Sequence, residues 1–249
     1  MTDAPYLTQL VAEARAAPDT LGLLLHGSRA VGSHRDDSDY DLIRIVTDTA
    51  YIARQDRSAL VERVRGRGGQ TADVFYQSLS RIEQYVRSPD WYTATYLAAR
   101  VLFDRTGNIV GLLSRMKVDA SRVAHEQTTT AYDDYLNCFV RSIKAARRGD
   151  ELGRRLHAAA SAQALIKTLF GLEREWPPYH DQLAAALPRI EEAQGWPRGF
   201  LSEALLRLVD GGDPTFQQEL EARVETLMSA RGVQHEWGDD LTPLKAHAF

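Results

Sequence analysis

Two aspartates at alternate positions follow a glycine–serine pair near the start of the chain. An apolar run ends in Gly27 and Ser28, and after a short polar loop Asp39 and Asp41 open a second apolar run. Because side chains alternate along a strand, both carboxylates lie on one side of it and resist ionising together unless a cation lies between them. Carboxylate oxygens suit Mg²⁺, and a glycine turn with a serine hydroxyl suits phosphate. The spacing therefore predicts a site for a metal ion and a triphosphate.

The bulk composition is that of an ordinary globular protein. The 249 residues suffice for one large or two small domains, and 44% are apolar and 26% charged. The net charge of −4 weighs against an extended nucleic-acid surface. Cys138 is the only cysteine, which excludes an intrachain disulfide and a cysteine-rich zinc site. No signal peptide and no apolar run of about 18 residues is visible, so we expect a cytoplasmic protein without a membrane partner.

Strand and helix signals alternate up to residue 118 and then give way to helices alone. Apolar and β-branched runs predict strands over 21–26, 39–46, 71–77 and 101–104, with helices between them that include 54–65 and 80–86. Beyond that point, apolar periodicity predicts helices over 123–148, 151–172, 181–192, 199–209 and 215–231, and a wrapped or loose tail over 232–249. The predicted class is α/β (α+β), with a mixed-sheet domain over 1–118 and a helical bundle over 119–249.

The glycine-rich run has a recognisable signature. Its pattern resembles that of the DNA polymerase beta-type nucleotidyltransferase superfamily, and in particular the antibiotic-modifying kanamycin, streptomycin and lincosamide nucleotidyltransferases, at Gly27, Ser28, Ala30, Gly32, Ser38, Asp39, Asp41 and Leu42. The resemblance implies a sheet domain followed by a helical domain. It also implies a metal-dependent enzyme that transfers AMP from ATP, or another nucleotide from its triphosphate, to a small hydroxylated molecule and releases pyrophosphate. An aminoglycoside-like antibiotic as the acceptor, and hence a role in antibiotic resistance, is part of the same expectation.

The resemblance also assigns roles to residues. Asp39 and Asp41 would hold two Mg²⁺ ions, and Asp73, in the strand predicted over 71–77, would supply the third carboxylate and could accept the proton of the acceptor hydroxyl. The nucleotide is expected at the first run, where Arg29 and Ser38 join the glycine–serine pair. Asp104 precedes an Arg-Thr-Gly turn, which indicates turn chemistry instead of catalysis.

Basic side chains of the helical half are candidates for the leaving phosphates. Arg141 and Lys144 fall on one polar stripe of the helix predicted over 123–148, and Lys167 lies on the next helix. In the streptomycin-type enzymes that the chain resembles, basic helical-domain residues contact the β- and γ-phosphates. The alternative is a solvated face with surface ion pairs.

The acceptor is expected in a cleft between the domains. Asp133 and Asp134 would form an acidic wall for a cationic substrate such as an aminoglycoside, and Trp91 would stack on the base or the substrate unless it is simply core. The sequence leaves the acceptor, the nucleotide and the choice between monomer and homodimer open.

Two other functions compete with small-molecule transfer. One is a regulatory or antitoxin-like nucleotidyltransferase that acts on a protein or a tRNA, and the other is a non-catalytic nucleotide-binding module. A HEPN-type ribonuclease needs an arginine and a histidine on one helix, and the only match is Arg174 with His180. Pro177 and Pro178 lie between them and break any such helix, so we discount a ribonuclease.

Overall fold

The computed structural model describes residues 5–90, 93–235, 237 and 241–249. The chain divides into two compact units, Met1–Ala120 and Ser121–Phe249. All strands of the described ranges lie in the first unit, and the second unit is helical. The predicted class, a mixed sheet with helices followed by a run of helices, is confirmed. Within the same ranges, no helix is long and apolar enough to cross a bilayer.

The first unit is built on one five-stranded mixed sheet. Its strands are β1 (Thr20–His26), β2 (Tyr40–Val46), β3 (Val61–Arg65), β4 (Thr71–Ser78) and β5 (Arg100–Asp104), in the order β3-β4-β2-β1-β5. Only β2 and β4 pair in parallel. The helices are α1 (Pro5–Ala16), α2 (Gly27–Val31), α3 (Asp48–Gln55), α4 (Leu79–Arg87), α5 (Thr93–Leu97) and α6 (Ile109–Glu126).

The central strands are buried on both faces. Leu23, Leu25 and Leu42 pack against α1 on one face, and Leu24 and Ile43 pack against α4 and α6 on the other. Strands covered on both faces need apolar residues at successive positions, which explains the continuous apolar run of β1. The ends of β1, β2 and β4 are therefore held by a rigid core.

The segment 54–65, predicted as a helix, is instead the end of α3 followed by strand β3. β3 pairs antiparallel with β4, and the backbone N–H of Gly66 donates to the carbonyl of Gln70 at 2.8 Å to close the hairpin. β3 is the edge strand and its side chains are mostly exposed, so it lacks the alternating apolar pattern that marks a strand over a core. The correction matters for the candidate site because β3 carries Arg63.

In its described residues, the second unit contains five long helices and a short one near the C-terminus. They are α7 (Thr128–Arg147), α8 (Glu151–Leu172), α9 (His180–Ala193), α10 (Phe200–Asp210), α11 (Pro214–Ala230) and α12 (Thr242–Lys245). The single helix predicted over 123–148 is wrong in one respect, because α6 ends at Glu126 and α7 begins after Gln127. Tyr132, Phe139 and Phe170 are among the largest side chains of the shared core.

A buried carboxylate joins the C-terminal segment to this core. Glu221 of α11 is 0% exposed, and its Oε1 lies 3.2 Å from the Lys245 ammonium, which also pairs with Glu225 at 2.7 Å. The Tyr132 hydroxyl donates to Glu221 at 3.5 Å, and Tyr135 is a further hydrogen-bond partner. Burial raises the pKa of Glu221 to about 7, although Lys245 opposes the shift. Of the tail predicted over 232–249 as wrapped or loose, the described C-terminal residues 241–249 are thus packed on α11.

The raised pKa of Glu221 predicts a pH-dependent stability. The folded protein holds a proton on Glu221 that the unfolded chain releases near pH 4.5, so this contribution to the unfolding free energy is lost as pH rises from about 4.5 through about 7. The expected loss is about 3 kcal/mol. Urea unfolding of wild type and Glu221→Gln across this range measures it, with Glu225→Gln as the half-exposed control. A pH-independent difference between wild type and Glu221→Gln would contradict the assignment.

Candidate functional site

The glycine–serine pair lies where β1 ends. Gly27 has a φ of 67°, in the left-handed region that favours glycine. A Cβ atom at this position would lie 2.2 Å from Oδ2 of Asp41. Any residue other than glycine would therefore collide with the Asp41 carboxylate. Ser28 follows in the first turn of α2. Gly27 therefore leaves the space that the Asp41 carboxylate occupies.

The three predicted aspartates lie at two neighbouring strands of the sheet: Asp41 is on β2, Asp73 is on β4, and Asp39 immediately precedes β2. Asp41 and Asp73 are direct partners in the parallel register of β2 and β4, and Asp39 precedes Asp41 by two residues. Residues in register on parallel strands, and residues two apart on one strand, point to the same side. The Thr71 hydroxyl donates to Asp39 Oδ1 at 2.9 Å and orients that carboxylate.

A guanidinium group bridges two of these carboxylates. Arg63 is the antiparallel partner of Asp73, and it donates from Nε to Asp73 Oδ1 at 2.7 Å and from Nη2 to Asp73 Oδ2 at 2.5 Å. The same Nη2 atom lies 3.3 Å from Oδ2 of Asp39. The hydrogen bonds and charge of Arg63 hold the pKa of Asp73 below its ordinary value. Sequence reasoning missed Arg63, because it placed this residue in a helix.

The donor set fits a divalent cation at the place of the guanidinium. Asp39 Oδ2 and Asp73 Oδ2 both contact a single positively charged nitrogen, and carboxylate oxygens are the ligands that Mg²⁺ prefers. Among the described residues, no group of three or more histidine, cysteine or acidic side chains is placed so that it could hold a metal ion by itself. The predicted three-carboxylate set with two ions stays a prediction.

Arg29 and Ser38 organise the loop that leads into β2. The Arg29 guanidinium donates to the Ser38 carbonyl from Nη2 at 2.7 Å and to the Asp39 carbonyl from Nε at 3.2 Å, and it lies 4.1 Å from the centre of the Tyr40 ring. The Ser38 hydroxyl accepts the backbone N–H of Arg35 at 3.0 Å. Both predicted nucleotide contacts are thus engaged with the backbone around Asp39 and support its position.

The His26 ring lies beside the carboxylates and contacts Phe75. His26 is the register partner of Asp41, and its ring meets Phe75 edge to face at 5.8 Å. Burial lowers the pKa of His26 to about 4, so its imidazole is neutral at neutral pH. Its Nε2 atom is buried without a hydrogen-bond partner among the described residues.

Asp104 has the structural role that its turn predicts. Its Oδ1 accepts the backbone N–H groups of Thr106 and Gly107, each at 2.9 Å, and its Oδ2 accepts that of Ile109 at 2.9 Å. These bonds close the turn after β5 and satisfy the N-terminus of α6. The expectation that Asp104 is not catalytic agrees with this arrangement.

The candidates of the helical unit are mostly exposed. Arg141, Lys144, Lys167 and Asp134 lie at the surface of that unit, and the Arg141 Nε donates to Asn137 at 3.0 Å. Their predicted contacts with phosphate or acceptor stay predictions, because they belong to the second unit and the carboxylates belong to the first.

The last two predicted substrate contacts are Asp133 and Trp91. Asp133 is half-buried, and its Oδ1 has no hydrogen-bond partner within the described part of the chain. Its predicted place in an acidic substrate wall stays a prediction. Trp91, the predicted stacking residue, lies outside the described residues.

The ribonuclease alternative has no geometric support. α8 ends at Leu172, Arg174 follows it with a left-handed φ of 59°, and α9 begins at His180. The two residues therefore lie on no common helix, which confirms the expectation from the intervening prolines.

Comparison with known proteins shows the fold. The sequence matches no protein-family model, and it matches no curated protein. The structure is similar to a crystal structure of a nucleotidyltransferase-like protein from Exiguobacterium sibiricum 255-15, with a TM-score of 0.50, over 90% of this chain and 73% of that one. The chain has a nucleotidyltransferase-like fold. The sequence identity is 13%, so the likeness concerns architecture and leaves the substrate class open.

Proposed function

We propose that this chain is a metal-dependent nucleotidyltransferase that moves a nucleoside monophosphate, AMP from ATP in the leading case, to a hydroxyl group of a small molecule. The observation that carries the proposal is the pairing of Asp41 with Asp73 in register on adjacent strands, with Asp39 just before β2 and the Gly27–Ser28 turn beside Asp41. The nucleotidyltransferase-like fold supports it. A cationic, aminoglycoside-like acceptor is the leading candidate, because Asp133 and Asp134 offer negative charge.

The residues have distinct tasks in the proposed reaction. Asp39 and Asp73 would hold Mg²⁺ with Asp41, and a bound Mg²⁺ neutralises phosphate charge and aligns the reactants. Gly27 leaves room for the Asp41 carboxylate, and Thr71 orients Asp39. The Ser28 hydroxyl would donate to a phosphate oxygen.

The bond changes follow from the substrates. The acceptor oxygen attacks the α-phosphorus, the bond from that phosphorus to the bridging oxygen breaks, and pyrophosphate leaves with the bonding electrons. The acceptor proton passes to a base. Both oxygens of Asp73 accept hydrogen bonds from Arg63, and these bonds disfavour protonation of Asp73, so Asp73 would be a better base once Arg63 has moved.

The experiment is a screen for pyrophosphate release. Purified protein is incubated with Mg²⁺, each of the four nucleoside triphosphates in turn, and a panel of aminoglycosides, lincosamides and other hydroxylated metabolites. We expect release that needs both an acceptor and the metal, and that EDTA abolishes. Release without any acceptor would indicate a hydrolase instead.

A non-catalytic or antitoxin-like module is the second candidate. The observation in its favour is the Arg63 bridge, because Asp39 and Asp73 are already charge-compensated without a metal ion. This candidate predicts tight nucleotide binding without turnover of any small acceptor in the same screen. A protein or tRNA acceptor predicts turnover only when that macromolecule is supplied.

A further inference from the structure

One side chain occupies the place where the proposed reaction needs a cation. The Arg63 guanidinium contacts both oxygens of Asp73 and, through Nη2, one oxygen of Asp39. A planar guanidinium paired with both oxygens of a carboxylate has a defined geometry, and it competes for the lone pairs that a metal ion would use. Arg63 and a divalent cation therefore exclude each other at these two carboxylates.

The backbone that carries Arg63 is fixed, whereas its side chain is free to move. The Tyr6 hydroxyl donates to the Val64 carbonyl at 2.9 Å, and the Tyr76 backbone N–H donates to the Leu60 carbonyl at 2.8 Å, so β3 is held at both ends. The Arg63 side chain is 57% exposed, and the side chains of Asp39 and Asp73 are 36% and 20% exposed. The guanidinium can thus swing into solvent without any change in the sheet.

The charges give this exchange a direction. Arg63 compensates two neighbouring carboxylates that would otherwise repel each other in the metal-free protein. A divalent cation brings twice the charge of the guanidinium and repels it at short range. The displaced arginine would remain beside the metal position on β3, with its charge available to an incoming anion.

We infer that Arg63 is a positioning residue that takes the place of the divalent cation in the metal-free protein and leaves Asp39 and Asp73 when the cation binds. The inference rests on the proposed function, since it assumes that these carboxylates form the metal site. Arg63 thereby keeps the carboxylates in place before the metal arrives and lowers the affinity for metal without nucleotide.

Direct metal binding tests this inference without any measurement of turnover. Mn²⁺ is titrated into nucleotide-free protein and free Mn²⁺ is followed by electron paramagnetic resonance, for wild type, Arg63→Ala, Arg63→Lys and Arg65→Ala. We expect Arg63→Ala to bind Mn²⁺ about fivefold to tenfold more tightly, because the cation no longer displaces a charge-assisted pair. The Mn²⁺ affinity of Arg63→Lys should lie between those of wild type and Arg63→Ala, since an ammonium cannot pair with both Asp73 oxygens as a guanidinium does. A group with a merely structural role would weaken binding when removed.

Arg65→Ala is the matched control for net charge. Arg65 lies two residues along the same exposed strand, so its removal changes the charge near the site by the same amount. If Arg65→Ala and Arg63→Ala gained the same Mn²⁺ affinity, the inference would be overturned while the proposed metal site would be supported. Weaker Mn²⁺ binding by Arg63→Ala than by wild type would have the same meaning. Absence of Mn²⁺ binding in every variant would overturn the inference and the proposed metal site together.

Discussion

Asp39→Ala is expected to lower the rate of pyrophosphate release by about a thousandfold, because loss of a metal-binding carboxylate removes several kcal/mol of charge stabilisation. Asp39 is half-exposed, and among the described residues its carboxylate contacts Thr71 and the exposed Arg63 instead of the core. The melting temperature should therefore change little. The rate under saturating Mg²⁺ and nucleotide, with the acceptor found by the screen, measures the effect.

Asp37→Ala is the control for this substitution. Asp37 lies in the same loop, its side chain is 80% exposed, and it pairs with Arg35 at 3.4 Å. Its removal should leave the rate within about twofold, because a surface ion pair of this kind contributes little. Wild-type activity of Asp39→Ala would show that the metal assignment is wrong.

Gly27→Ala should reduce kcat/KM by about a hundredfold, because small displacements of catalytic groups have effects of that size. The added Cβ would lie 2.2 Å from Asp41 Oδ2, so either the carboxylate or the turn must shift. The positive φ of Gly27 adds backbone strain of about 1 kcal/mol. Steady-state kinetics and thermal unfolding of the purified variant measure the two effects separately.

Gly107→Ala is the control that separates backbone strain at a positive φ from displacement of the Asp41 carboxylate. Gly107 also has a positive φ, 72°, and a Cβ added there meets no atom within 4 Å. We expect a similar loss of stability with normal kinetics. If Gly27→Ala and Gly107→Ala had the same kcat/KM, contact between the turn and Asp41 would not matter for the reaction.

The carboxylate arrangement could be predicted from the sequence because its signals are local. The alternate spacing of Asp39 and Asp41 defines their common side, and a buried apolar run on either side of the turn defines the strands. Asp73 was assigned by resemblance, and the parallel register places it directly opposite Asp41. Its role as a ligand remains to be measured.

The cation between these carboxylates could not be predicted in the same way. Arg63 reaches Asp73 only through the hairpin register of an exposed edge strand, and β3 has no buried apolar face to reveal it. The hydrogen bonds of Arg29 to the carbonyls of Ser38 and Asp39 could not be predicted either, because nothing local in the sequence indicates them, and its contact with phosphate stays a prediction. The partners of both arginines are set by contacts between residues that are distant in the sequence.

The helical half shows the limits of periodicity. The predicted bounds 151–172 are those of α8, yet its apolar residues Leu152 and Leu156 are 70% and 62% exposed. Periodicity identifies a helix and its apolar side, but it carries no information on how far the neighbouring helices extend. The break at Gln127 is similar, since the Gln127 N–H bonds to the Val123 carbonyl and the Ala131 N–H bonds to the Gln127 carbonyl, each at 2.9 Å, so helical hydrogen bonds lie on both sides of it.

The position of an isotopic label tests the proposed reaction most directly. Nucleoside triphosphate labelled with ³²P at the α-phosphorus, and in a parallel reaction at the γ-phosphorus, is incubated with Mg²⁺, protein and the acceptor panel, and the acceptor is separated. We predict that wild type transfers the α-label to the acceptor and releases the γ-label in pyrophosphate. The Asp39→Ala variant should neither transfer the α-label nor release the γ-label. Transfer of the γ-label to the acceptor, or its release as inorganic phosphate, would contradict nucleotidyl transfer.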